Sequence, residues 1–480
     1  MKKYPIKRIA LLVLMVILNA CGVSKDIQYP QDSLPENFRT VATDSIAIES
    51  GATKEITVAQ MPWQAFFSEE QLLHLIDQAL LKNNQLQLAV KNLEIAQQQW
   101  QQAKWANLPE LALNAQVSRN RPSENSTLGL NLNQSLQKNH IEDYSLHAGL
   151  SWEADIWGKI KNEKKEAFST YLQTQEAHKA VQTALVAEVA KGYYNLLMLD
   201  YQLVIAKKNA ALSEHTQSIL EWQYQAGQVT SLAVAQAEAQ KLNAQKLIPI
   251  FEQQILIQEN VLSTLTGTFP TSIERSFDFM RMVKDENLQI GLPAELVSNR
   301  PDVKQAELML DIENARVGIA KAAFYPTLRI SATAGINSFE TSNWFTLPAS
   351  LFGTIAGGLT QPLLQGRRIK TQYQIALISR EKAVIHFRES VLLAVSEVSN
   401  ALVSLDKLQS QHSFLQNRTE ILEKAIQKST LLFDSGLATY LEVIVSQTLL
   451  LESELELAQN KRDQLAARVD LYRSLGGGWH

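Results

Sequence analysis

The sequence predicts a mainly α-helical protein that also carries membrane β-strands, four to a chain. Three observations lead there. Two runs, Lys159 to Ala226 and Arg368 to Ser435, are almost free of helix breakers: neither contains proline, and Gly192 is the only glycine in either. Four short segments alternate apolar and polar residues with a period of two. The second half of the chain echoes the first at an offset of roughly 210 residues, which suggests duplication and is far longer than any solenoid period.

The chain has 480 residues, a formal net charge of −4 and 45% hydrophobic content. That balance gives no electrostatic reason to invoke nucleic acid, and none is expected as a partner. Lys2, Lys3, Lys7 and Arg8 precede an apolar run from Ile9 to Leu18 that is too short for a membrane span, so residues 1–20 read as a secretory signal. Leu18-Asn19-Ala20-Cys21 resembles the lipobox of a bacterial lipoprotein. Cys21 is the only cysteine and can form no internal disulfide. Acylation on its thiol and amine would supply more than one chain, enough for stable anchoring in outer-membrane lipid. Gly22 and Val23 follow, and the missing aspartate favours the outer membrane by resemblance to lipoprotein sorting rules. Residues 21–67, polar with scattered prolines, read as a tether.

The first structural repeat is expected over 68–266. Ser68-Glu69-Glu70-Gln71 resembles a capping box before an apolar run that begins at Leu72. Helical character continues to Trp105 and stops near Pro109. Strands follow at 111–118, where Leu111, Leu113, Ala115 and Val117 share one face, and at 144–153, where Tyr144, Leu146, Ala148, Leu150 and Trp152 do. A polar loop, Arg119 to Asp143, joins them. Strands of about ten residues with one apolar face match membrane barrel staves. At ~1.5 Å per residue, the long helix from Lys159 would reach about 100 Å. In it Val181, Leu185, Val189 and Tyr193 form one stripe, and Ala180, Ala184, Ala187 and Ala190 another. Two such faces suit a helix with neighbours on both sides. A turn at Gly227 leads to a second helix, in which Pro249 predicts a kink or break.

Residues 267–291 read as a connector and 292–475 as the second repeat, with strands at 327–336 and 351–361 and a tail at 476–480. Ala320-Lys321-Ala322-Ala323-Phe324-Tyr325-Pro326 echoes Ala103-Lys104-Trp105-Ala106-Asn107-Leu108-Pro109. Val384, Val391, Val395, Val398, Leu402 and Leu405 form a heptad-like seam. The turn at Gly436 echoes that at Gly227, and Thr439 echoes Thr230.

Four strands cannot close a barrel, and open edges cannot face lipid, so chains must pool them. Two chains would give eight strands, a barrel filled by side chains; three would give twelve, wide enough for a lumen. A channel function favours three.

Asn299-Arg300-Pro301-Asp302-Val303, preceded by Gly291-Leu292-Pro293-Ala294-Glu295-Leu296, resembles the signature of the TolC-like outer membrane factors, most closely their lipoprotein branch, the NodT-type efflux channels. Asp155-Ile156-Trp157-Gly158-Lys159, Gln361-Pro362-Leu363-Leu364-Gln365-Gly366-Arg367 and the terminal Leu475-Gly476-Gly477-Gly478-Trp479 extend the resemblance along the mature chain. Trp157 and Lys159 stand where phenylalanine and arginine are usual, and Gln365 replaces a glycine. The resemblance implies a homotrimer with a twelve-stranded outer-membrane barrel, a periplasmic α-helical barrel and a mixed equatorial region. It also implies a passive duct, with a periplasmic adaptor docking at the tips around Gly227, Thr230, Gly436 and Thr439, coupled to an inner-membrane pump. Small molecules or drugs are the expected cargo. A protein-secretion duct is the alternative, followed by a coiled-coil scaffold or adhesin. Glu442 resembles the position of an acidic ring at the periplasmic mouth. A second acid usual three residues later is Val445 here, and the first-repeat counterparts are Ala233 and Gln236, so the ring would hold one carboxylate per chain.

No catalytic constellation is present in the sequence, and no enzyme activity, cofactor or metal is expected. The eight histidines are scattered without HExxH spacing, and the seven methionines form no relay pattern. Glu163 and Glu166 beside Lys164 and Lys165 read as a solvated helix face. Trp152 and Trp157 fit either an interfacial girdle or packing between strand and helix.

Overall fold

The computed structural model describes residues 61–275, 279–282 and 299–479. The signal segment, Cys21, most of the tether, most of the connector and Gly291–Leu296 lie outside the described residues. The chain divides into two compact units. Of the described residues, the strand unit holds 95–172 and 308–385, and the helical unit holds 61–94, 173–275, 279–282, 299–307 and 386–479.

The elements, in order, are α1 (Trp63–Phe66), α2 (Glu70–Lys82), α3 (Asn84–Trp105), β1 (Glu110–Asn120), α4 (Thr127–Leu136), β2 (Ile141–Ala154), α5 (Lys159–Gln225) and α6 (Ser231–Leu265). The second repeat continues with α7 (Pro301–Ala322), β3 (Thr327–Ser338), β4 (Leu351–Thr360), α8 (Arg368–Asp434) and α9 (Tyr440–Ser474). The duplication is legible in lengths: α3 and α7 have 22 residues each, α5 and α8 67 each, α6 and α9 35 each. Among the described residues no helix is long and apolar enough to cross a membrane.

The core of the helical unit gathers Leu185, Val189, Tyr193 and Leu196 of α5 with Val398 and Leu402 of α8 and Leu465 and Val469 of α9. Burying one such aliphatic side chain contributes roughly 1.5–3 kcal/mol. Ala187 and Ala190 enter the same cluster, so both stripes of α5 are covered in large part by this chain's own residues. At Gly192 α6 comes close: a Cβ there would stand 2.8 Å from Leu262 Cδ2, and Gln258 donates to the Gly192 carbonyl at 3.0 Å.

Three expectations are corrected and a fourth is narrowed. The segment Ser68–Gln71 forms no capping box, because α2 starts at Glu70 with Glu69 at its N-cap and no side-chain cap. Helical character breaks at Asn83, whose buried side chain accepts from Leu86 N–H at 3.0 Å and donates to the Leu265 carbonyl at 2.9 Å, thereby starting α3. The loop between the first two strands contains α4, capped by Ser126, whose hydroxyl accepts from Gly129 N–H at 3.1 Å. Of the kink or break expected at Pro249, the break is absent, because α6 runs through that residue.

Candidate functional site

The strand unit is built on one antiparallel sheet in the order β1-β2-β3-β4, so β1 and β4 each present an unpaired edge within the chain. Register preserves the alternation across all four strands. Leu111, Leu150, Ala332 and Ile355 form one cross-strand row on the apolar face. Gly149, Thr333 and Thr354 form a row on the other face, which also carries His147 and Glu153, the latter opposite Arg329. The apolar face is bare: Leu111, Leu113 and Ile355 are 73%, 75% and 83% exposed. Gly335 admits the close approach of β2, since a Cβ there would fall 2.2 Å from the Leu146 carbonyl.

At the end of β2 the backbone turns into α5 through Asp155, whose carboxylate accepts the N–H groups of Ile160 and Lys161 at 2.9 and 2.8 Å. A carboxylate at this point satisfies orphan donors and complements the helix dipole. Gly158 supplies the positive φ, 74°, that the turn requires. Trp157 stacks on Tyr325 at 4.6 Å and donates to the Pro326 carbonyl at 2.8 Å, so its role is packing between strand and helix. Trp152 donates to the Asn107 carbonyl at 2.9 Å. The helix face at Glu163–Glu166 is not solvated decoration. Glu166 accepts from Arg316 of α7 at 2.8 Å, Lys165 pairs with Asp311 at 3.5 Å, and burial pushes the Glu163 carboxyl up from its ordinary value.

In the helical unit, Arg300 is 5% exposed and acts as a fork. It donates to the Ser474 carbonyl at 2.9 Å, to both oxygens of Asp302 at 3.0 and 2.6 Å, and to Glu397 at 2.9 Å. The start of α7, the middle of α8 and the end of α9 are thereby tied together. The terminal glycines fit the same region: a Cβ on Gly477 would fall 2.2 Å from the Tyr472 ring, and one on Gly476 2.9 Å from the Asn299 carbonyl. Tyr472 stacks on Phe66 at 4.1 Å and donates to the Met61 carbonyl at 2.7 Å.

The two hairpins end alike. Gly227 and Gly436 each have φ 72°, and each closes its helix with a bond back to the last turn, from Gln228 N–H to Gln223 and from Leu437 N–H to Leu432, both at 2.8 Å. Thr230 and Thr439 are the N-caps of α6 and α9. The two tips pack on one another through Leu220, Ala233, Ala237, Phe433 and Val443. Tyr440 adds a hydroxyl donated to Gln236. Glu442 is fully exposed in the first turn of α9, and the Thr439 hydroxyl donates to it. That bond, with the N–H groups of Glu442 and Thr439, holds its carboxyl below the ordinary value.

A family model described as outer membrane efflux protein matches residues 75–268 and 292–477. The chain belongs to the outer membrane efflux protein family. The solvent efflux pump outer membrane protein SrpC of Pseudomonas putida is 27% identical over 97% of this chain and 97% of its own length. The probable outer membrane lipoprotein SilC of Salmonella typhimurium is 24% identical over 99% of each chain. Among solved structures, the CmeC outer membrane channel of Campylobacter jejuni matches the fold with a TM-score of 0.86 at 20% identity, covering 95% of both chains.

Among the described residues no group of three or more His, Cys, Asp or Glu could hold a metal ion. Gly227, Thr230, Gly436 and Thr439 come together at one double tip, with Glu442 beside Thr439. Sequence reasoning missed Asp155 as a helix cap and Arg300 as a fork. For Asp155 the signal was present: an aspartate just ahead of a long helix in Asp155-Ile156-Trp157-Gly158. For Arg300 only the Asp302 partner is local, and Ser474 and Glu397 lie far along the chain.

Proposed function

We propose that three copies of this chain form a passive outer-membrane duct, fed by an inner-membrane pump through a periplasmic adaptor. One observation carries this reading: a four-stranded sheet with two unpaired edges and a bare apolar face. Such edges are tolerated in lipid only when a barrel closes them, and twelve strands leave a lumen. Exposed apolar residues on α8 support further neighbours: Ile378, Ile385 and Leu392 recur every seven residues and are each more than 60% exposed. At the tips, exposed Leu232, Leu437 and Leu441 support adaptor docking. The name of the solvent efflux relative supports small molecules as cargo. Native mass spectrometry of the protein in detergent is expected to give three copies. A stable monomer or dimer with pore activity would refute the closure argument.

The lipid anchor is proposed at Cys21, and the likeness to a probable outer membrane lipoprotein supports it. Cys21→Ser is expected to abolish incorporation of labelled palmitate while the barrel still inserts, because strand closure does not depend on the lipid. Labelling that survives in the variant would overturn the assignment.

Glu442 is proposed as the periplasmic gate residue. Three symmetry-related carboxylates would attract cations over about a Debye length, ~8 Å at physiological salt. Glu442→Gln is expected to lower cation selectivity in single-channel recordings and to weaken block by multivalent cations. With the carboxyl held below its ordinary value of 4.5, the parent's selectivity should persist as the pH falls to that point. Unchanged selectivity in the variant leaves Glu442 as a helix-capping residue alone.

A further inference from the structure

In the strand unit, the last turns of α7 and the starts of α5 and α8 border an open cavity of about 440 Å³. That lies within the range of small-molecule sites, ~300–1,000 Å³. Its floor is apolar, made by Ile319, Ala320 and Ala323 with Pro362 and Ile369. Its charged lining residues are Lys159, Arg316, Arg368 and the acidic Glu166, and two of the three cations are already matched. Lys159 donates to Glu153 at 3.1 Å, and Arg316 to Glu166 at 2.8 Å and Glu313 at 2.6 Å. Arg368 differs. Among the described residues its guanidinium meets only the neutral amide oxygen of Gln365, at 3.2 and 2.9 Å. A guanidinium has five N–H donors in a planar fork, so Arg368 retains donors suited to a carboxylate, sulfonate or phosphate.

The duplication explains the imbalance. Four residues before α5 stands Asp155, whose carboxylate neutralises the start of that helix. Four residues before α8 stands Leu364, which is 97% exposed, and the first turn of α8 contains no acidic residue. The positive end of the α8 dipole therefore adds to the charge on Arg368. The cavity adjoins the polar face of the sheet through Thr327. Thr327 lines it and shares a face of β3 with Arg329, which approaches the same Glu153 that Lys159 holds, at 3.7 Å.

We propose that this cavity binds amphiphilic organic anions, with the apolar body on Ile319 and Ala323 and the anionic head on Arg368. On the duct reading, which makes the polar face the lumen wall, it is a resting site for anionic cargo beside the barrel; this placement rests on that reading. An anionic phospholipid has the same chemistry and would reach the cavity from the membrane instead.

The test titrates the full-length protein in dodecyl maltoside with naphthalene-1-sulfonate, followed by fluorescence anisotropy. Saturable binding is expected, weakened at least tenfold in Arg368→Gln and abolished in Ala323→Phe, which fills the floor while leaving the charge. The cation 1-naphthylmethylammonium should not bind. Equal affinity in parent and Arg368→Gln, or equal binding of the cation, overturns the proposal; Arg368 is exposed, so this variant reads cleanly even if Ala323→Phe fails to fold. Displacement of the probe by phosphatidylglycerol added to the micelles would overturn the cargo assignment in favour of a lipid site, and persistence of binding supports it. Conductance in a planar bilayer is recorded on the same preparations. Loss of conductance with binding intact overturns the duct reading and leaves the anion site standing.

Discussion

Arg300→Met is expected to lower the unfolding free energy of the purified protein by about 3 kcal/mol, measured from denaturant midpoints at neutral pH. The guanidinium is buried, and its bonds to Ser474, Asp302 and Glu397 join three helices that are far apart in sequence. Breaking a buried ion pair typically costs roughly 3–5 kcal/mol because a charge is left stranded without water. The Asp302 and Glu397 side chains are 49% and 38% exposed, so solvent recovers part of that loss and the lower end applies. The Ser474 carbonyl has no such relief, and losing its donor alone costs about 1–3 kcal/mol. The effect carries a pH signature. Burial pulls the Asp302 carboxyl up, but hydrogen bonds and charge from Arg300 outweigh it and hold the carboxyl below 3.8. A depressed carboxyl contributes stability above its unfolded pKa and loses it as pH falls through the folded one. The gap between parent and variant should therefore narrow below about pH 4. A midpoint shift equivalent to less than about 1 kcal/mol would mean that the fork is an incidental contact.

The mainly helical class with a few β-strands was legible because each part rests on local periodicity. Breaker-free runs give α5 and α8, and a period of two gives the four strands, whose register keeps Leu111, Leu150, Ala332 and Ile355 in one row. What was not legible depends on partners distant in the chain or on competition between periods. Asn83 ends one helix and starts the next only because the Leu265 carbonyl stands beside it, 182 residues away. Glu166 looked solvated because Arg316, its partner, is 150 residues distant. In α4, Leu128, Leu130 and Leu132 recur every second residue among asparagines, a spacing that hides a helix. The glycines at 476–478 read as a chain end, whereas Gly477 is packed against the face of Tyr472. At the tips the paired turns could be read from the repeat, yet the contact of Tyr440 with Gln236 across the two hairpins could not.

Ile355→Arg is expected to abolish assembly of the protein in the outer membrane, measured as the fraction of total protein recovered as oligomer from that membrane. Ile355 sits in the middle of β4, on the edge of the sheet, and closes the apolar row Leu111–Leu150–Ala332–Ile355. If that face meets lipid, an arginine near the bilayer midplane costs about 2–4 kcal/mol per strand. A threefold assembly repeats the penalty to about 6–12 kcal/mol, comparable to the roughly 5–15 kcal/mol that holds a folded protein together. Thr354→Arg is the matched control. Thr354 is the preceding residue of the same strand, exposed like Ile355, but it lies on the opposite face in the row with Gly149 and Thr333. On the duct reading an arginine there would face the lumen, shifting ion selectivity towards anions and leaving assembly intact. The two substitutions add the same charge one residue apart, so general effects of arginine on expression or strand propensity act on both. Equal recovery of the two variants would remove the lipid face from this sheet, and with it the argument that three chains close a barrel.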